Sequence, residues 1–167
     1  MKLYHGSTVQ VKNPSLRYGR ESTDFGKGFY TTTNFEQAKN WALSKTKTNN
    51  QLKAIVSIYE VDDDLINKVQ YNVKIFTSPN KEWLDFVVDC RKSIRHSFDM
   101  VKGAVANDKI YVTINLFESG ALSTEAALMQ LKINPVFDQI SFHSENAINE
   151  LQFIESEEVW EIKHLSK

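Results

Sequence analysis

The chain of 167 residues carries a formal net charge of −1, with 41% hydrophobic and 25% charged residues. That balance excludes a disordered or fibrous chain, and near-neutrality excludes the broad electrostatic footprint of general nucleic-acid binding, leaving only a local basic patch. The length suits one domain over residues 1–167 that withdraws roughly two thirds of its unfolded surface from water, so folding requires neither metal nor disulfide.

Lys2 to His5 predicts a short strand, ended by Gly6, Ser7 and Thr8, with His5 at its tip. From Val9 to Thr23 the sequence is polar and broken by Pro14 and Gly19, which predicts a loop with room for one helical turn. Asp24 to Thr33 reads as a ligand-facing turn. Gly26 and Gly28 let the backbone approach something flat or anionic, and Phe29 and Tyr30 follow at once. Asn34 then caps a helix, with Gln37 at its third position in an approximate capping box. Phe35, Ala38, Trp41 and Ala42 share one face of that helix, which fades into a solvated tail from Ser44 to Asn50.

Ala54 to Glu60 has strand composition, and Val61 to Asp64 makes a turn. Ser78 and Pro79 supply a cap and a first-turn proline for a second helix, in which Trp83, Phe86, Val87, Cys90 and Ile94 keep helical spacing and Cys90 is a core thiol. Phe98 to Gly103 is extended, and Lys109 to Ile114 is a strand or short helix beyond Ala106, Asn107 and Asp108. Ser123 caps a third helix through Lys132, ended by Asn134 and Pro135. Three strands follow: Gln139–His143, Leu151–Ile154 and Val159–Ile162. Glu145, Glu150, Glu155, Glu157, Glu158 and Glu161 are solvated acids, and the whole is an α+β domain.

Several chemistries drop out. Position 31 is threonine where a dinucleotide fingerprint needs its third glycine, and neither a phosphate-binding lysine loop nor a Gly-x-Ser-x-Gly elbow occurs. His5, His96, His143 and His164 have no short metal-ligand spacing, so no metal is expected. The lone Cys90 cannot form an internal disulfide, and no stretch reads as a signal peptide or membrane span, so the expected location is the cytoplasm.

What remains is Leu3-Tyr4-His5-Gly6-Ser7, then Gly26-Lys27-Gly28-Phe29-Tyr30, then the late strand opened by Gln139. This pattern resembles the ADP-ribosyltransferase superfamily in its poly(ADP-ribose)-polymerase-like branch, and a bacterial subgroup of uncharacterised function within it. That branch carries histidine with Gly and Ser or Thr on a strand, a Gly-x-Gly-x-Tyr turn, a second aromatic eleven residues beyond the turn tyrosine, and a third motif opening a late strand. Eleven residues beyond Tyr30 stands Trp41. The likeness is good from Leu3 to about Ala42 and returns weakly from Asp138 to Ile154, while the middle of the chain has no counterpart.

The resemblance implies a fold of two small, packed, mainly antiparallel sheets flanked by helices, and NAD as substrate. It implies that His5 bonds ribose hydroxyls, the Gly6 backbone pairs with the carboxamide, Ser7 adds a hydroxyl, Gly28 shapes the turn, and Tyr30 and Trp41 sandwich the nicotinamide. Gln139 replaces the glutamate of the polymer-forming members. Its amide can hold a hydroxyl but lacks a carboxylate's field and basicity, which points to single transfer of ADP-ribose, with Glu145 as the fallback acid. The alternatives are a module that binds NAD or ADP-ribose without chemistry, and RNA 2′-phosphotransfer, which the lack of basic character disfavours. The acceptor is open, with specificity expected in Val9–Thr23 and Thr46–Gln51, and the resemblance adds a toxin-like role with an antitoxin-like partner, away from membranes.

Overall fold

In the computed structural model, which describes residues 1–47, 52–104, 108–133 and 138–160, β1 runs from Lys2 to Ser7. It continues through Gly6 and Ser7, where the sequence reading ended it at His5. The reason is a close approach: Gly6 lies beneath α1 (Phe35–Thr46), and a Cβ there would stand 2.0 Å from the Ala38 carbonyl oxygen. The glycine is a packing position inside a strand, not a breaker.

β1 pairs antiparallel with β3 (Ala54–Glu60), Tyr4 opposite Ile58 and Gly6 opposite Val56, and β3 pairs antiparallel with β7 (Gln152–Val159). The second and third late strand candidates thus form one strand up to Val159, with Glu161 and Ile162 outside the described residues. Glu155, Glu157 and Glu158 do not interrupt it, because β7 is an edge strand whose charged side chains reach water. α1 covers one face of this sheet, where Ala38 buries against Val56 and Ile58.

A second sheet has the order β2 (Phe29–Thr31), β6 (Asp138–Phe142), β5 (Met100–Ala104), β4 (Val73–Ile75), antiparallel except for the β4–β5 pair. Neither β2 nor β4 was expected from sequence; at three residues each they are too short to show a period. Among the described residues the sheets join at one bridge, Tyr4 N–H to Thr32 O at 2.9 Å and Thr32 N–H to Tyr4 O at 3.0 Å. Leu3, Phe29, Tyr59, Met100, Ile140 and Phe142 bury together in one cluster. The alternate positions of the second sheet look the other way, where Val101 joins Phe25, Trp83, Val87, Ile114 and Leu131. Each such side chain contributes roughly 1.5–3 kcal/mol by leaving water. The architecture is α+β, two small and mostly antiparallel sheets with helices.

The helices correct several expectations. α2 (Lys81–Arg91) is capped by Asn80, whose side-chain oxygen accepts from Trp83 N–H at 2.9 Å, so Ser78 and Pro79 stand outside it. Trp83, Val87 and Cys90 are buried as their spacing predicts, but Ile94 lies past the helix and is exposed. Lys109 to Ile114 belongs to a helix, α3 (Asp108–Glu118), and Ser123 caps α4 (Thr124–Ile133) through the Ala126 N–H at 3.2 Å. The expected turn at Ala106–Asn107 and the stop at Asn134–Pro135 lie outside the described residues, as does the end of the solvated tail after α1. Asn34 caps α1 by accepting from Gln37 N–H at 3.0 Å, while Gln37 accepts from the Thr32 hydroxyl instead of reaching back to Asn34. Among the described residues no helix is long and apolar enough to cross a membrane.

Candidate functional site

At the Tyr4–Thr32 bridge the two sheets part. Backbone groups alternate edges along a strand, so if Tyr4 turns its N–H and C=O toward β2, then Gly6, two residues on, turns its own to the same side. Among the described residues no strand lies beside β1 there. Gly6 therefore offers a donor and an acceptor to the gap between β1 and β2, and carries no side chain of its own there because α1 occupies the space above its Cα.

His5 stands beside this edge. Its Nδ1 lies 2.7 Å from the Tyr30 carbonyl, which can only accept, so Nδ1 carries the hydrogen and Nε2 is left with a lone pair. The ring stacks on Phe29, centroids 4.4 Å apart at 28°. Burial lowers the His5 pKa, with the bond to Tyr30 opposing, so the imidazole is neutral.

Tyr30 is fixed through its hydroxyl, which accepts from Phe25 N–H at 3.1 Å, donates to the Gly26 carbonyl and lies 2.8 Å from Thr23 Oγ1. Burial pushes its pKa upward, hydrogen bonds notwithstanding, so the phenol does not titrate near neutrality and only the ring remains to meet a ligand. The Gly26 φ of +78° makes glycine the residue suited to that turn.

Beneath the turn lies a pair of imidazoles that motif reading missed. His143 Nδ1 donates to the Lys27 carbonyl at 2.9 Å, and its Nε2 sits 2.8 Å from Ser141 Oγ. His96 Nδ1 accepts from Phe98 N–H at 3.2 Å, so its Nε2–H donates to the Phe25 carbonyl at 2.8 Å. The two rings meet edge to face at 4.6 Å, and His143 meets Tyr30 likewise at 6.3 Å. Burial pushes the His143 pKa down to about 4, against the Lys27 bond and with a smaller contribution from His96. Gly28 makes room for it, since a Cβ there would be 2.7 Å from the imidazole and from the Phe142 oxygen. Residues 139, 141 and 143 share one strand face, the one signal in sequence that marks His143; nothing local points to His96.

Gln139 sits on β6 opposite Gly103, 5% exposed, and its Nε2 is buried without a hydrogen-bond partner. It shares a sheet face with Tyr30, because Tyr30 faces Ser141 across β2–β6. Ser7 donates its hydroxyl to the Val9 carbonyl at 2.6 Å, closing the end of β1. Glu145 is exposed in the first turn of α5 (Glu145–Ile148), beyond the end of β6 opposite Gln139.

Trp41 departs from expectation. It is 50% exposed and not on the inward face of α1 with Ala38 and Ala42, because the backbone of that face rests against Gly6 and leaves no room for an indole. Lys45 Nζ lies 4.1 Å over its ring, and no ring contact joins it to Tyr30 among the described residues. Cys90 is buried, with its thiol pushed up to about 12 mainly by burial, so it is no nucleophile. A cleft of about 340 Å³ between Ile75–Pro79 and Lys102–Ala104, with Asp138, opens near the Gln139 end of β6 and away from His5. Among the described residues no group of three His, Cys, Asp or Glu side chains is placed to hold a metal ion.

Comparison with curated proteins and with solved structures finds no match. Residues 1–153, which contain every group described above, match the model of one family, and on that span the chain belongs to the family described as protein of unknown function (DUF3990).

Proposed function

We propose that the gap between β1 and β2 binds NAD and that the protein is a mono-ADP-ribosyltransferase with an ADP-ribosyltransferase-like fold. The observation that carries this reading is the open backbone edge of Gly6 beside a neutral, oriented His5. A carboxamide presents one donor face and one acceptor face, and the C=O and N–H of Gly6 are their complement. The His5 Nε2 lone pair accepts from a ribose hydroxyl. Tyr30 lends one face of the nicotinamide a ring held still by its hydroxyl.

In the reaction the bond between the ribose anomeric carbon and the nicotinamide nitrogen breaks, and the electron pair stays on nitrogen and neutralises the cationic ring. Positive charge develops on the sugar. An acceptor nucleophile then bonds to that carbon and loses its proton to solvent. Gln139, with an unused buried N–H, supplies a hydrogen bond to the sugar but no negative charge, which favours one transfer over chain growth. An antitoxin-like protein covering the gap in the cytoplasm is the partner this reading implies.

The test is nicotinamide release from NAD with cell extract as acceptor source. Release by the native protein and its loss in His5→Ala and Tyr30→Ala support the assignment; equal turnover in both variants refutes the site. A second reading, a pocket that binds NAD without turning it over, is favoured by Gln139, whose neutral amide brings no carboxylate to the sugar. Calorimetric binding of NAD with no nicotinamide released would select it.

A further inference from the structure

The charge of the chain is unevenly spread. Residues 9–47 carry seven basic and three acidic side chains, a net of +4, in a chain whose total is −1. All three acids are already paired: Glu21 with Lys27, Glu36 with Lys39, and Asp24 with Arg91. Lys12, Arg17, Arg20, Lys45 and Lys47 have no carboxylate partner among the described residues, whereas six of the nine cations described elsewhere do: Lys53, Lys68, Lys74, Lys81, Arg91 and Lys92. A group of unneutralised cations is thus concentrated in one stretch of sequence.

The fold gathers three of them. Leu16–Tyr18 is a single 3₁₀ turn capped by Ser15, with Leu16 packed on the core and Gly19 N–H donating to the Leu16 carbonyl at 3.0 Å. Gly19 rests on the glycine turn, where a Cβ would be 3.0 Å from the Gly28 oxygen. Arg17, Tyr18 and Arg20 therefore project from a fixed base, and Tyr18 is 81% exposed. Lys45, over the Trp41 ring, lies within range of Arg20, whose charge adds to burial in lowering the Lys45 pKa. An exposed aromatic ring flanked by unpaired cations matches the two repeating elements of a single strand, base faces and phosphates.

We propose that Arg17, Tyr18, Arg20 and Lys45 form a docking surface for single-stranded nucleic acid at the rim of the β1–β2 gap. Tyr18 stacks a base, and the three cations hold phosphates on either side. An anionic membrane surface would use the same cations, and the vesicle arm of the experiment below separates it from a strand. The surface stands whether or not the pocket turns over NAD, so His5→Ala leaves it intact.

The experiment is fluorescence anisotropy of fluorescein-labelled dT20 and U20 with the full chain at several salt concentrations. Three phosphate contacts predict a slope of log K against log salt of about −2, at about 0.7 per cation for a single strand. Arg17→Ala with Arg20→Ala reduces that slope to about −0.7. Tyr18→Phe retains affinity and Tyr18→Leu loses about tenfold, because stacking and not the hydroxyl is at work. The three substituted positions are exposed, and an unchanged melting curve shows that each variant is folded. Four results overturn the proposal: no binding at 50 mM salt, an unchanged slope in the double variant, unchanged affinity in Tyr18→Leu, or binding of a duplex or of phosphatidylserine vesicles as tight as that of dT20.

Discussion

Replacing Gly6 by alanine places a methyl group 2.0 Å from the Ala38 carbonyl oxygen, 2.9 Å from its carbon and 3.0 Å from Ala42 N. These are helix backbone atoms, so no rotamer change relieves the overlap. Ordinary contact begins near 3.4 Å, so α1 must retreat by about 1.4 Å from β1. That retreat opens a gap where Ala38 packs on Val56 and Ile58, forfeiting their dispersion contacts as well as straining the strand. We expect a loss of about 3 kcal/mol, the upper end of the overpacking range, and a Tm lower by roughly 6–12 °C for a chain of this size. Urea and thermal denaturation followed by circular dichroism measure it. The control is Gly120→Ala, where φ is +77° and nothing lies within 4 Å, so only the left-handed strain of about 1 kcal/mol is charged. If Gly6→Ala costs no more than Gly120→Ala, the close approach of α1 to β1 is wrong.

Three further outcomes are expected. The depressed His143 pKa means that the unfolded chain binds a proton more readily than the folded one between pH about 6.5 and about 4, so stability is complete above the unfolded value and falls with acid. Urea midpoints should give a loss of about 2 kcal/mol from this group between pH 7 and 5, and a His143→Asn variant that keeps the same slope would assign the loss elsewhere. Arg91 donates through two nitrogens to Asp24 Oδ1, at 3.0 and 2.7 Å, with side chains only 8% and 17% exposed, so Asp24→Asn strands a buried guanidinium and costs about 3 kcal/mol by chemical denaturation. Gln139→Met removes a buried N–H that lacks a partner and should raise stability by about 1 kcal/mol, while abolishing nicotinamide release. A methionine variant with lower stability would show that the amide is satisfied in the folded protein.

Capping and periodicity made much of the fold legible, because both act between residues about four apart. Asn34 before α1, the burial spacing of Trp83, Val87 and Cys90, and the β-branched run at Ala54–Glu60 all lie where sequence alone puts them. The glycine turn was legible for the same reason, and His5 and Tyr30 do meet, through an imidazole bond to a backbone oxygen. What sequence could not decide depends on groups far apart in the chain. Gly6 reads as a breaker until α1 is laid on it, β2 and β4 become strands only with partners beside them, and Trp41 turns outward because a backbone occupies the inward space. The turn itself is held from below by imidazoles 71 and 116 residues away from the carbonyls they bind. A local pattern specifies which backbone conformations are cheap, but close approach and the satisfaction of buried polar groups are properties of the packed chain, and those determined the shape of this site.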